Sequence, residues 1–321
     1  MYHYSRSVRV VGIVSVAVLA GCYSPIVPTG VACPDGASCP DGQMCIAGFC
    51  RSDAVPGDGD VNDMTSNDAL GDGPPGDALG AAGWAVPAKV IPLSGPGDDY
   101  APSISADELT LYLNTDGPTP DDFKLYSLSR ATTTSMWGPL TAVPNVDLAE
   151  DEYDPDISID DKELVYISDL PPSGVRKMTR TSVGQPWIGP MPLLLDDKQG
   201  PSLFANDLRM LVSTNTIQEY SRSDTTASWT FQRNHANLNQ HEYPGVSSDG
   251  LEVYTVRNGR LWRATRMSVD QPFGSPAMLS FGNPFDTYEC LDPELSHDGQ
   301  TMYLAVDRGA AFNADIYVTT R

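Results

Sequence analysis

Basic residues are scarce in this chain of 321 residues. Lys and Arg together number 20 against 42 Asp and Glu, which gives a formal net charge of −22 at pH 7. This deficit excludes nucleic acid and anionic membrane surfaces as main partners, because both are bound through clustered basic side chains. It favours a cationic partner instead. The chain also lacks a nucleophile elbow, a zinc-protease helix motif and a phosphate-binding loop, so the sequence predicts no cofactor.

Histidine is rarer still, with four residues. Only His241, which stands beside Glu242, has a position suited to a metal ligand. The aspartate-rich stretch Asp58–Asp63 resembles a calcium loop only briefly, because it lacks the glycine and the glutamate that such a loop needs. The sequence therefore predicts no metal site.

Long hydrophobic runs are absent as well. The run Val10–Ala20 has eleven residues, whereas a membrane-spanning helix needs about 20. With two arginines before it, this run fits a secretory signal. The segment Leu19-Ala20-Gly21-Cys22 resembles the bacterial lipobox, which implies that residues 1–21 are a signal peptide and that Cys22 is lipidated. Because Tyr23 is not the aspartate of inner-membrane retention, the resemblance implies a cell-envelope lipoprotein held in the outer membrane by its lipid alone.

Four of the six cysteines follow closely within residues 22–51, at Cys33, Cys39, Cys45 and Cys50. Their spacings do not match the short pairs of zinc ribbons, and in an exported protein they predict a small module with two disulfides, whose pairing stays open among three choices. Residues 52–83 hold seven aspartates and no Lys, Arg or aromatic residue. This composition predicts a disordered acidic linker. We expect the last cysteine, Cys290, to fill apolar space.

What the sequence does contain is a motif that recurs five times, beginning at Pro102, Pro155, Pro201, Pro244 and Pro293. Each proline opens a short strand, because proline is tolerated at the start of a strand rather than in its middle. An aliphatic residue and a serine follow, and then Asp-Gly or a related pair predicts a hairpin turn. The second strand ends at an aromatic residue or leucine. Copy three departs with Phe204 and Asn206, and copy two carries one inserted residue near Lys162.

A third strand closes each unit and ends in Ser or Thr followed by arginine, at Arg130, Arg180, Arg222, Arg266 and Arg321. An aromatic residue among turn residues follows in four units and is missing in the fifth. The stretch around Trp84 carries such an aromatic residue without a hairpin, so we expect it to supply the fourth strand of the last unit. With prolines 43 to 53 residues apart, the pattern predicts an all-β, five-bladed β-propeller of four-stranded blades over residues 84–321.

The aligned positions of the five copies, called repeat columns below, resemble the WD40-like repeat of TolB-type propellers, in which a proline, a serine and an Asp-Gly turn precede an aromatic-ended strand. The resemblance covers all five units and implies the propeller fold. TolB-type propellers usually have more blades, so the count of five depends on this sequence alone.

In a propeller the innermost strands line a central channel, and the residues that enter them ring one mouth. These residues are acidic and rich in tyrosine in four of the five units, so we expect the ligand surface there. The candidates are Asp99, Tyr100, Glu152, Tyr153, Asp154, Asp156, His241, Glu242, Tyr243, Glu289, Asp292 and Glu294. The alternative is that these carboxylates neutralise the recurring arginines or satisfy turn amides.

Two functions remain in competition at this mouth. The leading prediction is non-catalytic binding of an envelope protein or peptide by a monomeric lipoprotein. The alternative is a carbohydrate-active hydrolase or lyase that uses Asp154, Asp156, Asp292 and Glu294, because glycosidases work with paired carboxyl groups. A scaffold without a dedicated site is the third hypothesis.

Overall fold

The computed structural model describes residues 44–46, 49–51, 83–90, 97–116, 122–146, 150–193, 195–309 and 313–321. The chain divides into two units, Met1–Gly71 and Asp72–Arg321. In the first unit, β1 (Met44–Ile46) and β2 (Phe49–Arg51) form an antiparallel pair in which Cys45 stands opposite Cys50. Cys22, Cys33, Cys39 and most of the predicted linker lie outside the described residues, as do the side chains of Cys45 and Cys50. The lipid anchor and the disulfide module therefore stay predictions.

The second unit consists of five four-stranded antiparallel sheets. Its first strand, β3 (Ala88–Lys89), belongs to the last sheet. Blade one contains β4 (Asp99–Ile104), β5 (Thr110–Thr115), β6 (Lys124–Ser129) and β7 (Thr141–Ala142). Blade two contains β8 (Glu152–Ile157), β9 (Glu163–Ser168), β10 (Gly174–Thr179) and β11 (Ile188–Pro192). Blade three contains β12 (Gln199–Phe204), β13 (Arg209–Ser213), β14 (Thr216–Ser221) and β15 (Thr230–Asn239).

Blade four contains β16 (Glu242–Val246), β17 (Glu252–Arg257), β18 (Arg260–Thr265) and β19 (Ala277–Met278). A short 3-10 helix, Phe285–Thr287, leads into blade five. That blade contains β20 (Glu289–Leu295), β21 (Thr301–Asp307), β22 (Asp315–Thr320) and the distant β3. The predicted five-bladed propeller of four-stranded blades is confirmed. No helix within the described ranges is long and apolar enough to cross a membrane.

The ring closes where the sequence predicts it. Strand β3 pairs with β22, which places Lys89 opposite Tyr317. Trp84 is fully buried, and its indole N–H donates to the hydroxyl of Tyr254 at 2.8 Å. The guanidinium of Arg321 lies 4.7 Å from the centre of the Trp84 ring. An N-terminal strand therefore completes the last blade and covers the outer edge of β22.

The serine and aspartate columns of the repeat build the inner hairpin turn. In blade one the Ser105 hydroxyl donates to Asp107 at 2.7 Å and accepts the Thr110 N–H at 2.9 Å, while Asp107 accepts the Leu109 N–H. The same serine-to-aspartate hydrogen bond recurs in three other blades, at Ser158–Asp160, Ser247–Asp249 and Ser296–Asp298. These side chains satisfy the backbone N–H groups that the tight turn leaves unpaired.

Two departures from the repeat have different outcomes. In blade three, Phe204 replaces the serine, and the turn that follows has three successive left-handed residues, Ala205, Asn206 and Asp207. In blade two the predicted insertion near Lys162 is wrong. Ser158 pairs across its turn with Glu163 at the same separation as Ser105 with Thr110. The hairpins are equal in length, and Tyr166 simply lies one position later in its strand than Tyr112 does.

The arginine column fastens each outer strand to the inner turn. The Nε–H of Arg130 donates to the Glu108 carbonyl at 2.8 Å, and the other four arginines repeat this bond to the equivalent turn. Each guanidinium also lies 4.2 to 4.7 Å from the centre of an aromatic ring of its own blade, Trp137, Trp187, Trp229, Phe273 or Trp84. This cation–π contact explains why an aromatic residue follows the first four arginines in the sequence, and Trp84 supplies it for Arg321.

Candidate functional site

A β-bulge stands at the entrance of every inner strand. The residue before each repeat proline has a left-handed backbone, with φ between 48° and 53° at Ala101, Asp154, Gly200, Tyr243 and Asp292. The strand register shifts at each of these positions. A bulge leaves backbone groups without a ladder partner and re-aims the neighbouring side chains. Here it directs the residues on both sides of the proline toward the central channel.

Side chains of one blade satisfy the N–H groups that the bulge of the next blade leaves free. At the outer level, Asp154 accepts the Gly200 N–H at 2.9 Å, and Asp292 accepts the Ala101 N–H at 3.1 Å. The carboxylates therefore bridge blade two to blade three and blade five to blade one. At this level the other three blades carry no carboxyl group.

A second set of hydrogen bonds between blades lies deeper in the channel, at the residue that follows the repeat proline. Asp156 accepts the Leu203 N–H at 2.6 Å. Ser103 and Ser202 perform the same function in blades one and three, where they accept the N–H groups of Ile157 and Val246 at 3.0 and 3.2 Å. Serine and aspartate therefore act interchangeably as acceptors in this ring.

In blade four the residue after the repeat proline is Gly245, which packs directly against the backbone of blade five. A Cβ atom on Gly245 would lie 1.7 Å from the carbonyl oxygen of Pro293, so only glycine fits at this position. In the last blade Glu294 accepts the N–H of Ile104. The Ser103 hydroxyl lies 3.2 Å from Asp156 and 3.5 Å from Glu294, so the two carboxyl groups flank one hydroxyl.

The four carboxyl groups thus meet in the channel, where they line a cavity together with all five repeat prolines. The enclosed space is about 30 Å³, which is enough for a water molecule but not for a sugar ring. Asp156 is buried, whereas Asp154, Asp292 and Glu294 keep partial access to water through the channel. We call Asp154 and Asp292 the mouth pair, and Asp156 and Glu294 the deep pair.

Burial and mutual repulsion separate the acidities of the mouth pair. Burial, together with the charge of Asp154, raises the pKa of Asp292 from 3.8 to about 8, although the Ala101 N–H opposes the rise. Burial also raises the pKa of Asp154, but only to about 6, because the Gly200 N–H stabilises its ionised form. Near neutral pH one member of the pair therefore holds a proton while the other is ionised.

The pKa values of the deep pair are raised as well. Burial raises the pKa of Asp156 to about 7, the charge of Asp207 adds to the rise, and the Leu203 N–H and the Ser103 hydroxyl oppose it. Burial and the charge of Asp156 raise the pKa of Glu294 well above its ordinary value. The deep carboxyl groups thus also favour the neutral form.

The alternative that the channel carboxylates neutralise the recurring arginines is wrong for both pairs. The arginines lie at the hairpin turns, and those of blades three, four and five form ion pairs with a glutamate of the preceding blade, each at 2.8 Å: Arg222 with Glu163, Arg266 with Glu219 and Arg321 with Glu252. Within the described part of the chain, no cation pairs with a carboxyl group of either pair. The second half of that alternative is supported, since both pairs do accept backbone N–H groups.

Three aromatic side chains of blades one and two form a row. The rings of Tyr100 and Phe123 have their centres 6.0 Å apart, and Phe123 and Tyr153 follow at 5.5 Å. The Tyr153 hydroxyl donates to Asp151, which also accepts the Phe123 N–H. Tyr100 and Tyr153 directly precede the bulge residues of blades one and two, and their rings also pack against the hydrophobic core. Phe123 was not among the predicted residues, because it lies in a loop outside the repeat columns.

The remaining predicted residues do not line the channel cavity, with the exception of Tyr243. Asp99 is buried, and this burial raises its pKa to about 7. Glu152 is buried 3.8 Å from the Lys124 ammonium. Glu242 is half-buried, and Glu289 is exposed beside Gly259.

His241 is not a mouth ligand. Its ring is buried, lies against Trp262 and has Nδ1 2.8 Å from the Thr255 hydroxyl. Burial and the Arg257 charge lower the pKa of His241 to about 4, so the imidazole is neutral at physiological pH. Across the described ranges, no group of three or more His, Cys, Asp or Glu residues is arranged to hold a metal ion.

Solved structures share this fold. The chain is similar to the catalytic domain of the Coprinopsis cinerea GH62 α-L-arabinofuranosidase, with 12% identity and a TM-score of 0.52 over 73% of this chain and 96% of that chain. It is also similar to Zg3597, a family 117 glycoside hydrolase from Zobellia galactanivorans, with 10% identity and a TM-score of 0.51 over 74% and 89% of the two chains. A putative TolB from Agrobacterium tumefaciens matches with 15% identity and a TM-score of 0.40 over 70% and 77%.

A scan against family models finds no match, and a search of curated proteins finds none either. At identities this low, likeness to solved structures shows the fold alone, and the TolB match supports no functional conclusion. The two glycoside hydrolases nevertheless overturn the leading prediction, non-catalytic binding of a protein or peptide, because they favour its carbohydrate-active alternative. The carboxyl groups of that alternative are the four that meet in the channel.

Proposed function

We propose that this propeller hydrolyses a glycosidic bond at its channel mouth, with Asp292 as general acid and Asp154 as general base or nucleophile. The observation that carries the proposal is the pair itself. Two carboxyl groups share one small cavity, and their pKa values of about 8 and about 6 lie on either side of neutrality. Glycoside hydrolysis needs one protonated and one ionised carboxyl group at the same bond.

Each step of the reaction can be assigned to one member of the pair. Protonated Asp292 donates its proton to the glycosidic oxygen as the bond to the anomeric carbon breaks, which releases the leaving group as a neutral alcohol. Ionised Asp154 removes a proton from a water molecule as the water oxygen attacks the anomeric carbon. In the nucleophilic variant Asp154 bonds to that carbon first, and a water molecule that gives its proton to the now ionised Asp292 then displaces Asp154 and releases the sugar. The backbone N–H groups of Ala101 and Gly200 hold the two carboxyl groups in place.

The aromatic row favours a carbohydrate over other hydrolysable substrates. The C–H face of a sugar carries partial positive charge, which the negative face of an aromatic ring attracts. Tyr100, Phe123 and Tyr153 form a row of such rings in blades one and two. Because a sugar ring does not fit the 30 Å³ cavity, we place it above the mouth pair, against this row. The arabinofuranosidase named above makes α-L-arabinofuranosides the first substrates to test.

The pH profile of a cleaved substrate tests the proposal. Activity requires ionised Asp154 and protonated Asp292, so we expect kcat/KM to rise through about pH 6, to peak near pH 7 and to fall through about pH 8, with both limits belonging to the coupled pair. Asp292→Asn and Asp154→Asn should each lower kcat by about 100-fold or more. Asp298→Asn, at an exposed turn, is the matched control and should retain activity.

A panel of aryl glycosides and polysaccharides supplies the substrates. Failure of the folded wild type to cleave any of them, or equal activity in Asp292→Asn, would contradict the proposal.

We further propose that lipidation of Cys22 places this site in the cell envelope, as the lipobox resemblance implies. Metabolic labelling with a fatty-acid analogue should mark the wild type and leave Cys22→Ala unmarked. Labelling of both proteins would contradict the anchor without affecting the proposed hydrolysis.

A further inference from the structure

A second cavity opens at the other end of the channel, where the inner hairpins turn, and we call it the rear funnel. Its volume is about 340 Å³, within the usual range of small-molecule sites, about 300–1,000 Å³. Its wall contains the aliphatic residue that stands two positions after the repeat proline in every blade: Ile104, Ile157, Leu203, Val246 and Leu295. The repeat therefore builds an apolar ring around this end of the channel.

The deep pair closes the narrow end of the funnel. Asp156 and Glu294 line both the channel cavity and the rear funnel, so they stand between the two. No cation stabilises either of them within the described ranges, and the charged residue that most affects Glu294 is the like-charged Asp156. At the wide end, Asp207, Asp249 and His297 form part of the rim.

We propose that the rear funnel binds a primary alkylammonium group, with its methylene chain along the aliphatic ring and its ammonium at Asp156 and Glu294. An ammonium offers three hydrogen-bond donors to carboxylate oxygens, and a straight alkyl stem matches an apolar wall. The group has two sources with the same chemistry, a free alkyl diamine or a lysine side chain of a partner protein. The site is independent of the proposed hydrolysis, because it opens at the opposite end of the channel.

Binding should depend on pH in a defined direction. The ammonium pairs with ionised carboxylates, and the pKa of Asp156 is raised to about 7, so affinity should rise as pH increases from 6 to 8.5 and binding should release protons. The other titratable groups that face the deep pair are Asp207, Asp249 and His297 on the rim, and the mouth pair on the opposite side. All but His297 are acidic, so they reinforce the preference for a cation.

Titration calorimetry of the full chain at pH 8 tests the site. The probes are 1,5-diaminopentane, n-pentylamine, its neutral analogue 1-pentanol, and a short peptide with one lysine. We expect the amines or the peptide to bind and the alcohol to bind at least tenfold more weakly. Glu294→Gln keeps a carbonyl oxygen for the Ile104 N–H but removes the charge, so it should weaken binding at least tenfold.

A pair of matched variants locates the site. Ala106 is exposed and lines the funnel, so Ala106→Trp should block binding, whereas Ala131→Trp on the outer surface should not change it. Binding of the peptide but not of the free amines identifies a protein as the source, and the reverse identifies a free amine. Equal binding of pentylamine and pentanol, full affinity in Glu294→Gln or Ala106→Trp, or no binding of any probe at millimolar concentration overturns the proposal.

Discussion

The substitution Asp292→Asn should make the propeller more stable and inactive at the same time. In the native state Asp292 has a pKa of about 8, against 3.8 ordinarily. A raised acid pKa means that the stability present at low pH is lost as pH rises from about 4 to about 8, because the unfolded chain ionises first. Asparagine does not ionise, yet its side-chain oxygen still accepts the Ala101 N–H. The variant therefore avoids this loss.

The size of the effect follows from the shift. A rise from 3.8 to about 8 corresponds to at most about 6 kcal/mol of unfolding free energy at pH 8, since a tenfold change in acidity is about 1.4 kcal/mol. Water in the channel screens part of this, and we expect about 2 kcal/mol, or about 4–8 °C in melting temperature for a domain of this size. Below about pH 4 the two proteins should be equally stable.

Thermal melts of both proteins at pH 4, 6 and 8 measure this difference. Asp298→Asn serves as the control, because hydrogen bonds from Ser296 and Gln300 lower the pKa of Asp298, so that variant should lose stability at neutral pH rather than gain it. A stability difference for Asp292→Asn that does not change with pH, or a loss of stability at pH 8, would refute the assignment of a strained, protonated carboxyl group.

Other predictions concern the ring and its ion pairs. Trp84→Ala should lower the unfolding free energy by about 3–5 kcal/mol in urea titrations, because the fully buried indole closes the last blade; an unchanged midpoint would contradict that closure. Gly245→Ala should destabilise by at least about 3 kcal/mol or prevent folding, since its Cβ would lie 1.7 Å from Pro293; Gly274→Ala, whose Cβ would lie 3.3 Å from Thr265, is the milder control. Hydrogen bonds from His235, Arg266 and Arg209 outweigh burial and lower the pKa of Glu219 to about 2, so Glu219→Gln should cost about 3 kcal/mol at pH 7, a difference that disappears as pH falls from about 4.5 to 2.

The sequence predicted the blades well because each repeat column performs one local function. Proline begins the inner strand, serine and aspartate build its turn, and arginine joins the outer strand to that turn. Because these hydrogen bonds form within one blade, the residues that make them recur at a fixed spacing along the chain. The closure of the ring by Trp84 was also predictable, because the fifth unit lacks the aromatic residue that the other four carry. Within the blades, only the inserted residue in blade two was predicted wrongly. Tyr166 was aligned with the aromatic residue that ends the second strand of the other copies, whereas the strand pairing places Val165 at that position.

The site was less predictable because it is made between blades. The mouth carboxylates stand beside their prolines in the sequence, but their N–H donors, Ala101 and Gly200, belong to other units. The direction and size of the pKa shifts depend on burial and on distances across the channel, which no spacing encodes. Phe123 illustrates the same limit, because a loop outside the repeat brings its ring between Tyr100 and Tyr153.

The fold itself does not require carboxylates at the channel. At the deeper level Ser103 and Ser202 accept the same backbone N–H groups that Asp156 accepts, and Gly245 dispenses with a side chain altogether. A serine would thus serve in blades two and five without the free energy that a buried carboxyl group loses as pH rises. A protein that keeps acidic groups where a neutral acceptor suffices retains them for their charge and their protons. The proposed hydrolysis accounts for this surplus acidity in two blades of five.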